Sequence, residues 1–212
     1  MESISLRRGF SLIELMVVLA IIGVVMSIVL TSQSTFNKTL ILKNTAYDIA
    51  LTLRNAQTYG LGSRATTATA NAGYGVHFQI GTPGAFTFFA DTFPAPSAFS
   101  CHPTINTSAP DAQPGDCVYT VGQDQKVIEY VLGNSITVSD FCAFGSSWSC
   151  AQDGNLSSLD IVFARPNPDT FIRSNGSSYT SACITVTSPQ GGARFVSVAS
   201  SGQINANATS CP

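Results

Sequence analysis

The chain has 212 residues, a formal net charge of −2 and only 10% charged residues, against roughly 25% in an average soluble domain. Serine, threonine, alanine, glycine and asparagine take the place of the missing charges, which is typical of exported proteins. The small negative net charge argues against nucleic-acid binding driven by overall electrostatics, although it leaves room for a local basic patch.

The first 30 residues combine a basic start with a long apolar run. Arg7 and Arg8 precede a stretch from Phe10 to Leu30 in which every residue is apolar or small except Glu14. A cleavable secretory signal has an apolar region of only ~7–15 residues, whereas ~20 apolar residues span a bilayer. A simple membrane anchor explains the two arginines. It does not explain Glu14, which costs roughly 2–3 kcal/mol near the centre of a membrane.

The residues around Glu14, from Gly9 onward, suggest why a glutamate occurs in this apolar segment. The stretch from Gly9 to Glu14 resembles the processing site of the type IV pilin family, which includes the pseudopilins of type II secretion. The family pattern is a short basic leader ending in glycine, then phenylalanine, three residues, glutamate and an apolar helix. The resemblance implies that a prepilin peptidase cuts between Gly9 and Phe10 and methylates the new amine, giving N-methylphenylalanine. It also implies that the apolar helix stays on the mature protein.

Glu14 has two candidate partners in this interpretation. In a fibre core of packed helices, its carboxylate and the cationic amine of a neighbouring subunit's Phe10 offset each other's desolvation and fix the register of assembly. Within one subunit, Glu14 is also one helical turn from the amine of its own Phe10. The sequence leaves both pairings open.

The apolar pattern becomes one-sided beyond Leu30. Apolar and small residues at steps of four and three predict an amphipathic helix with one face on a core: Leu42, Ala46, Ile49, Leu53, Ala56 and Gly60. No proline precedes Pro83, so a single helix is predicted from Phe10 to about Tyr59. Gly60 and Gly62 are the predicted stops.

The remainder of the chain predicts a β-rich head, because short β-prone runs alternate with turn residues. The predicted strands are 74–80, 85–90, 118–121, 126–132, 135–141, 159–163, 170–172, 183–187, 194–199 and 203–206. Two long loops, 92–117 and 144–158, lie between them. The predicted fold class is therefore α+β, with a long N-terminal helix packed on an antiparallel β-sheet head, as in pilins.

These features divide the chain into four predicted segments. Residues 1–9 form a prepilin leader, and residues 10–30 form a helix that spans the membrane and later enters the filament core. Residues 31–62 continue this helix as an amphipathic spine, and residues 63–212 form the head with disulfide-stapled loops.

All six cysteines lie in the second half of the chain. An even number in an exported chain predicts three disulfides and an oxidising compartment. Pairing nearest neighbours gives Cys101–Cys117, Cys142–Cys150 and Cys183–Cys211, with free buried thiols as the alternative. The cysteines and the two histidines do not form the closely spaced pairs that zinc sites use, so neither a metal nor a cofactor is predicted.

Two stretches of the head carry a second resemblance. The segments 48–57 and 193–204 are similar to H-type pseudopilins and FimT-like minor pilins. Some FimT-like proteins capture DNA through arginines in a C-terminal Gly-Arg-x-Arg stretch. The matching place here, residues 202–205, reads Gly-Gln-Ile-Asn, without either arginine. Nucleic acid is therefore not expected as a partner.

No catalytic set is predicted. His77 reads as a half-exposed strand histidine rather than a general base, and His102 as a solvated loop residue. Asp111, Asp116 and Asp124 offer oxygen atoms that suit Ca²⁺, but they lack the close spacing of a calcium loop and read as a solvated acidic loop.

The predicted function is that of a non-enzymatic structural subunit of a type IV pilus-like or type II secretion-like filament. The expected partners are other pilin or pseudopilin subunits, the prepilin peptidase, the inner-membrane assembly platform and the membrane itself, through residues 10–30. The subunit would cross the inner membrane once with its head on the periplasmic side, and then enter an extracellular or periplasmic filament. Two alternatives stay open: a minor pilin whose head binds DNA or a surface ligand, and an anchored periplasmic enzyme.

Overall fold

The computed structural model describes residues 9–62, 72–93, 115–165, 169–189 and 191–211, apart from the side chains of residues 31–38. Most of the predicted leader and most of the predicted loop 92–117 lie outside these ranges. So do three residues singled out above: Cys101, His102 and Asp111. Contacts divide the chain into two compact units, residues 1–40 and residues 41–212.

A single helix, α1, extends from Leu12 to Leu61. It begins after Ser11, whose carbonyl accepts the N–H of Leu15, and it ends at Leu61, where the N–H of the next residue, Gly62, donates to the carbonyl of Thr58. In the second unit its predicted apolar stripe is confirmed, since every member is buried: Leu42, Ala46, Ile49, Leu53, Ala56 and Gly60. The helix therefore has one face in the core of the head.

Eleven strands occur in the described part of the chain. In order they are β1 (Gly73–Gln79), β2 (Ala85–Asp91), β3 (Gln125–Val131), β4 (Thr137–Phe144), β5 (Trp148–Cys150), β6 (Ser158–Phe163), β7 (Thr170–Ser174), β8 (Ser177–Tyr179), β9 (Ser181–Thr187), β10 (Ala193–Ala199) and β11 (Ile204–Ala208).

The strands form two antiparallel sheets. The six-stranded sheet has the order β3-β2-β1-β6-β7-β8, and the five-stranded sheet has the order β11-β10-β9-β4-β5. The predicted hairpins β1–β2 and β9–β10 are both present, with Val76 opposite Phe88 and Val196 opposite Ile184. The predicted fold class, α+β with the helix on antiparallel sheet, is confirmed.

The inner faces of both sheets and the buried face of α1 share one hydrophobic core. The helix approaches β6 closely at Gly60, where an added β-carbon would lie 2.0 Å from the carbonyl oxygen of Phe163. Gly60 was predicted as a helix stop. The helix instead continues through it to Leu61, and the missing side chain serves the packing of helix on sheet.

Three strand predictions need correction. Residues 118–121 do not form a strand, because the backbone N–H groups of Tyr119 and Thr120 bond the carboxylates of Asp160 and Asp124 rather than a neighbouring strand. The predicted loop 144–158 contains the short strand β5, which pairs with the end of β4. The short strand β8 was not predicted, and it extends the six-stranded sheet beyond β7.

Candidate functional site

The predicted cleavage point lies in exposed, non-helical backbone just before α1. Gly9 and Phe10 are both solvent-exposed, and Phe10 is 83% exposed. The helix begins two residues later, at Leu12. A peptide bond outside regular structure can enter a peptidase without first breaking helical hydrogen bonds. This geometry is suited to processing between Gly9 and Phe10.

Glu14 lies in the first turn of α1. A carboxylate there interacts favourably with the positive end of the helix dipole. Ser11 precedes the helix and Glu14 follows three residues later, which is the Ser-x-x-Glu spacing of a capping box. This capping box was not among the predicted features, although its spacing is visible in the sequence. Glu14 can thus help to start the helix as well as pair with an amine.

The helix from Leu12 to Leu30 is long and apolar enough to cross a membrane, and none of it is buried within the protein. Its large side chains include Leu12, Ile13, Leu15 and Met16, each more than half exposed. An apolar surface of this length requires either lipid or the helices of other molecules as its surroundings.

On the outer face of the six-stranded sheet, buried carboxylates anchor the segment 115–124. Asp124 accepts three backbone N–H groups, from Thr92, Phe93 and Thr120, at 2.8, 2.9 and 2.6 Å. Burial raises the pKa of Asp124, and these donors oppose that rise. Because its oxygens are engaged in this way, Asp124 holds two chain segments together rather than forming part of a solvated acidic loop.

Asp91 is fully buried and accepts the N–H of Cys117 at 2.7 Å. Burial raises the pKa of Asp91 well above its usual value, and the neighbouring carboxylate of Asp124 raises it further. Asp116, the third described carboxylate of this region, accepts the N–H of Val118 at 3.0 Å. These contacts account for the irregular path of residues 116–120.

His77 pairs with Asp160 across β1 and β6. Its Nδ1 lies 2.7 Å from Oδ1 of Asp160, which also accepts the N–H of Tyr119. The side chain of His77 is only 11% exposed, so the prediction of a half-exposed histidine was wrong. Burial raises the pKa of Asp160, while the contact with His77 lowers it. The pair joins the segment at Tyr119 to the sheet, and the ring of Tyr119 packs 5.0 Å from the imidazole.

Disulfides connect the described cysteines of the five-stranded sheet. Cys142 and Cys150 are bonded across β4 and β5, and Cys183 on β9 is bonded to Cys211 near the C-terminus. Cys117 is also disulfide-bonded, while its predicted partner, Cys101, lies outside the described ranges. These two pairs are the ones that nearest-neighbour pairing predicted. Cys142–Cys150 encloses only the turn between β4 and β5 with the strand ends beside it, whereas Cys183–Cys211 encloses most of β9 and all of β10 and β11.

Within the described ranges, one cluster brings together three potential metal-binding side chains: Asp140, Cys142 and Cys150. The disulfide consumes both thiols of that cluster, so it offers no thiolate ligand. At the place matching the FimT-like arginines, Gly202 forms a turn and Asn205 lies exposed on β11.

Comparison with known protein families gives one match. Residues 4–30 match the prokaryotic N-terminal methylation motif. This is a type IV pilin-like prepilin signal, and the match includes Gly9, Phe10 and Glu14. No curated protein and no solved structure matches the chain.

The motif indicates a processed subunit similar to type IV pilins and pseudopilins. It implies assembly with other pilins and handling by a prepilin peptidase, and it points to a structural subunit rather than an enzyme. Together with the exposed apolar part of α1, it fits anchoring in a membrane.

Proposed function

We propose that the chain is a non-enzymatic structural subunit, a pilin or pseudopilin, of a type IV pilus-like or type II secretion-like filament. The observation that supports this most directly is the methylation motif over residues 4–30, which includes the exposed apolar helix from Leu12 to Leu30. A prepilin peptidase cleaves between Gly9 and Phe10 and methylates the new amine of Phe10. Before assembly, the subunit is anchored in the inner membrane with its head on the periplasmic side.

Assembly transfers the apolar part of α1 from lipid into a fibre core of packed helices. Because lipid is as apolar as the helices, packing and polar pairing must provide the gain, and an inner-membrane platform with a motor is expected to drive the transfer. In the fibre core, the Phe10 amine of one subunit and the Glu14 carboxylate of another are both removed from water. Pairing them offsets the cost of burying either charge alone and sets the register between subunits.

The proposal is tested by mass analysis of the N-terminus of the mature protein, combined with its copy number in purified filaments. Cells with an active prepilin peptidase should yield a chain that begins at N-methylated Phe10. A Gly9→Leu variant, which places a bulky side chain at the cleavage point, should keep its leader. A mature chain that retains Met1 in the presence of the active peptidase would contradict the proposal.

A further inference from the structure

A cavity of about 450 Å³ lies on the side of the five-stranded sheet that faces away from the core. It is lined by Trp148, Cys183, Ser197, Asn205, Asn207 and residues 208–211. On β9 and β10 the neighbours Ile184, Val196 and Val198 are buried in the core, so the alternation of a strand places Cys183 and Ser197 on the opposite face. The volume is within the range of pockets that hold small molecules, roughly 300–1,000 Å³.

The strand register brings together three residues that line this cavity, since Cys183, Ser197 and Asn205 are direct partners across β9, β10 and β11. Cys150, Cys142, Cys183, Ser197 and Asn205 are successive partners across β5, β4, β9, β10 and β11. This single row crosses the whole sheet. It brings an aromatic residue from one edge, next to Cys150, into the same depression as an amide from the other edge.

Every described residue that lines the cavity is uncharged. A charged ligand would lose hydration there without a countercharge, and a purely apolar ligand would cover the amides and hydroxyls of the lining without offering them hydrogen-bond partners. The lining supplies the amide of Asn205, the hydroxyls of Ser197, Thr209 and Ser210, and the indole of Trp148, while the amide of Asn207 is already bonded to the hydroxyl of Tyr47. Trp148 is 40% exposed and thus offers an apolar surface with a polar N–H.

The cavity is also held in shape before any ligand arrives. The ring of Trp148 packs on Phe144 at 5.2 Å, next to the Cys142–Cys150 disulfide. The C-terminal wall is tied to β9 by Cys183–Cys211. The backbone N–H of Asn207 donates to Oδ1 of Asn205 at 2.9 Å. Such preorganisation lowers the entropic cost of binding.

We infer that this cavity binds a neutral oligosaccharide. A sugar ring combines apolar C–H faces, which stack on an indole, with hydroxyl groups that both donate to and accept from amides and hydroxyls. It carries no charge, as the lining requires. The inference concerns the head alone, and it does not depend on processing or on filament assembly.

The test uses the full chain purified in a zwitterionic detergent that has no sugar headgroup. Trp148 is the only tryptophan in the chain, so its fluorescence reports on this cavity alone. Maltohexaose, cellohexaose and chitohexaose are titrated separately, with a charged oligogalacturonate as the comparison. At least one neutral sugar should cause a saturable fluorescence change, and the oligogalacturonate should cause none. Failure of all three neutral sugars, or equal binding of the oligogalacturonate, would overturn the inference.

Two variants locate the binding. Asn205→Ala keeps the fluorophore and removes one amide, and it should weaken binding about fivefold, the equivalent of one hydrogen bond. Asn44→Ala removes an exposed asparagine of α1 that does not line the cavity, and it should bind like the native chain. Unchanged affinity in Asn205→Ala, in a protein that retains its native unfolding midpoint, would place the sugar elsewhere and refute the assignment.

Discussion

Gly60 on α1 and Phe163 on β6 approach so closely that any β-carbon on Gly60 would lie 2.0 Å from the carbonyl oxygen of Phe163. This contact joins the end of the helix to the centre of the six-stranded sheet. Tyr59, the residue before Gly60, packs on Tyr74 of β1 and Phe88 of β2, with ring centroids 5.5 and 5.7 Å apart. The position of the helix on the sheet therefore depends on a missing side chain.

Gly60→Ala should destabilise the head. Alanine gains about 1 kcal/mol in helix propensity over glycine, but the clash with the backbone of Phe163 forces helix and sheet apart and should cost about 1–3 kcal/mol more than that gain. Urea unfolding of the purified chain in detergent measures the difference. Gly81→Ala, at a turn with open space around it, is the control and should unfold near the native midpoint. A Gly60→Ala chain as stable as the native one would show that the contact is dispensable.

Replacing Asp124 should loosen the segment 115–124 in a graded way. Asp124→Asn keeps one side-chain oxygen, which can accept some of the three N–H groups. Asp124→Ala removes the acceptor for all three. We expect a loss of about 1–3 kcal/mol for alanine and a smaller loss for asparagine. Unfolding free energies together with amide hydrogen exchange at Thr92, Phe93 and Thr120 check this order. Equal stability of the two variants would contradict it.

Asp91 should give the head a distinctive pH dependence. Its pKa is raised in the folded chain by burial and by Asp124, while an unfolded aspartate titrates near pH 4. Between these two pKa values the folded chain binds more protons than the unfolded chain, so the free energy of unfolding decreases as pH rises through that window. Asp91→Asn removes this titration. The stability of the native chain relative to Asp91→Asn should therefore decline as pH rises from about 4 towards neutral.

Urea unfolding at a series of pH values measures this decline. Asp153→Asn, which removes an exposed negative charge, is the control for the change in net charge. A stability difference between the native chain and Asp91→Asn that stays constant across the series would show that Asp91 does not titrate differently on folding.

The two described disulfides should differ in their contribution to stability. Cys183–Cys211 closes a separation of 28 residues and Cys142–Cys150 a separation of 8. If each acts mainly on the unfolded chain, their loss should cost about 3.5 and about 2.5 kcal/mol, respectively. Double serine variants of each pair, unfolded in urea, give the comparison. A larger loss for the shorter loop would show that native contacts, rather than chain entropy, dominate.

Two variants of Glu14 should separate its roles. Glutamine preserves the Ser-x-x-Glu/Gln spacing of a capping box but not the charge, whereas alanine removes both. We expect both variants to insert into the membrane and both to be poorly incorporated into filaments, since assembly in the proposed mechanism needs the charge. Membrane fractionation and the copy number in purified filaments are the measurements. Normal incorporation of Glu14→Gln would assign Glu14 to helix capping alone.

Features that depend on the local order of residues could be predicted from the sequence. The spacing of apolar residues at intervals of four and three along α1 predicted its buried face correctly. A helix brings residues at this spacing to one face whatever it packs against. The β1–β2 and β9–β10 hairpins followed from adjacent β-prone runs joined by turn residues. The motif around Gly9, Phe10 and Glu14 is likewise a linear signal, which is why it is the part of the chain that matches a known family.

Features that depend on contacts between residues distant in the chain became visible only in the folded structure. Residues 118–121 have the composition of a strand, but their backbone N–H groups donate to the carboxylates of Asp160 and Asp124 instead of to a neighbouring strand. Gly60 was predicted to end the helix, and only its close contact with Phe163 shows that it serves the packing of the helix on the sheet. The cavity next to Trp148 combines Cys183, Ser197 and Asn205, which are far apart in the chain and become neighbours only through the pairing of β9, β10 and β11. Hydrogen-bond partners and close contacts of this kind are set by packing in three dimensions, and no local periodicity encodes them.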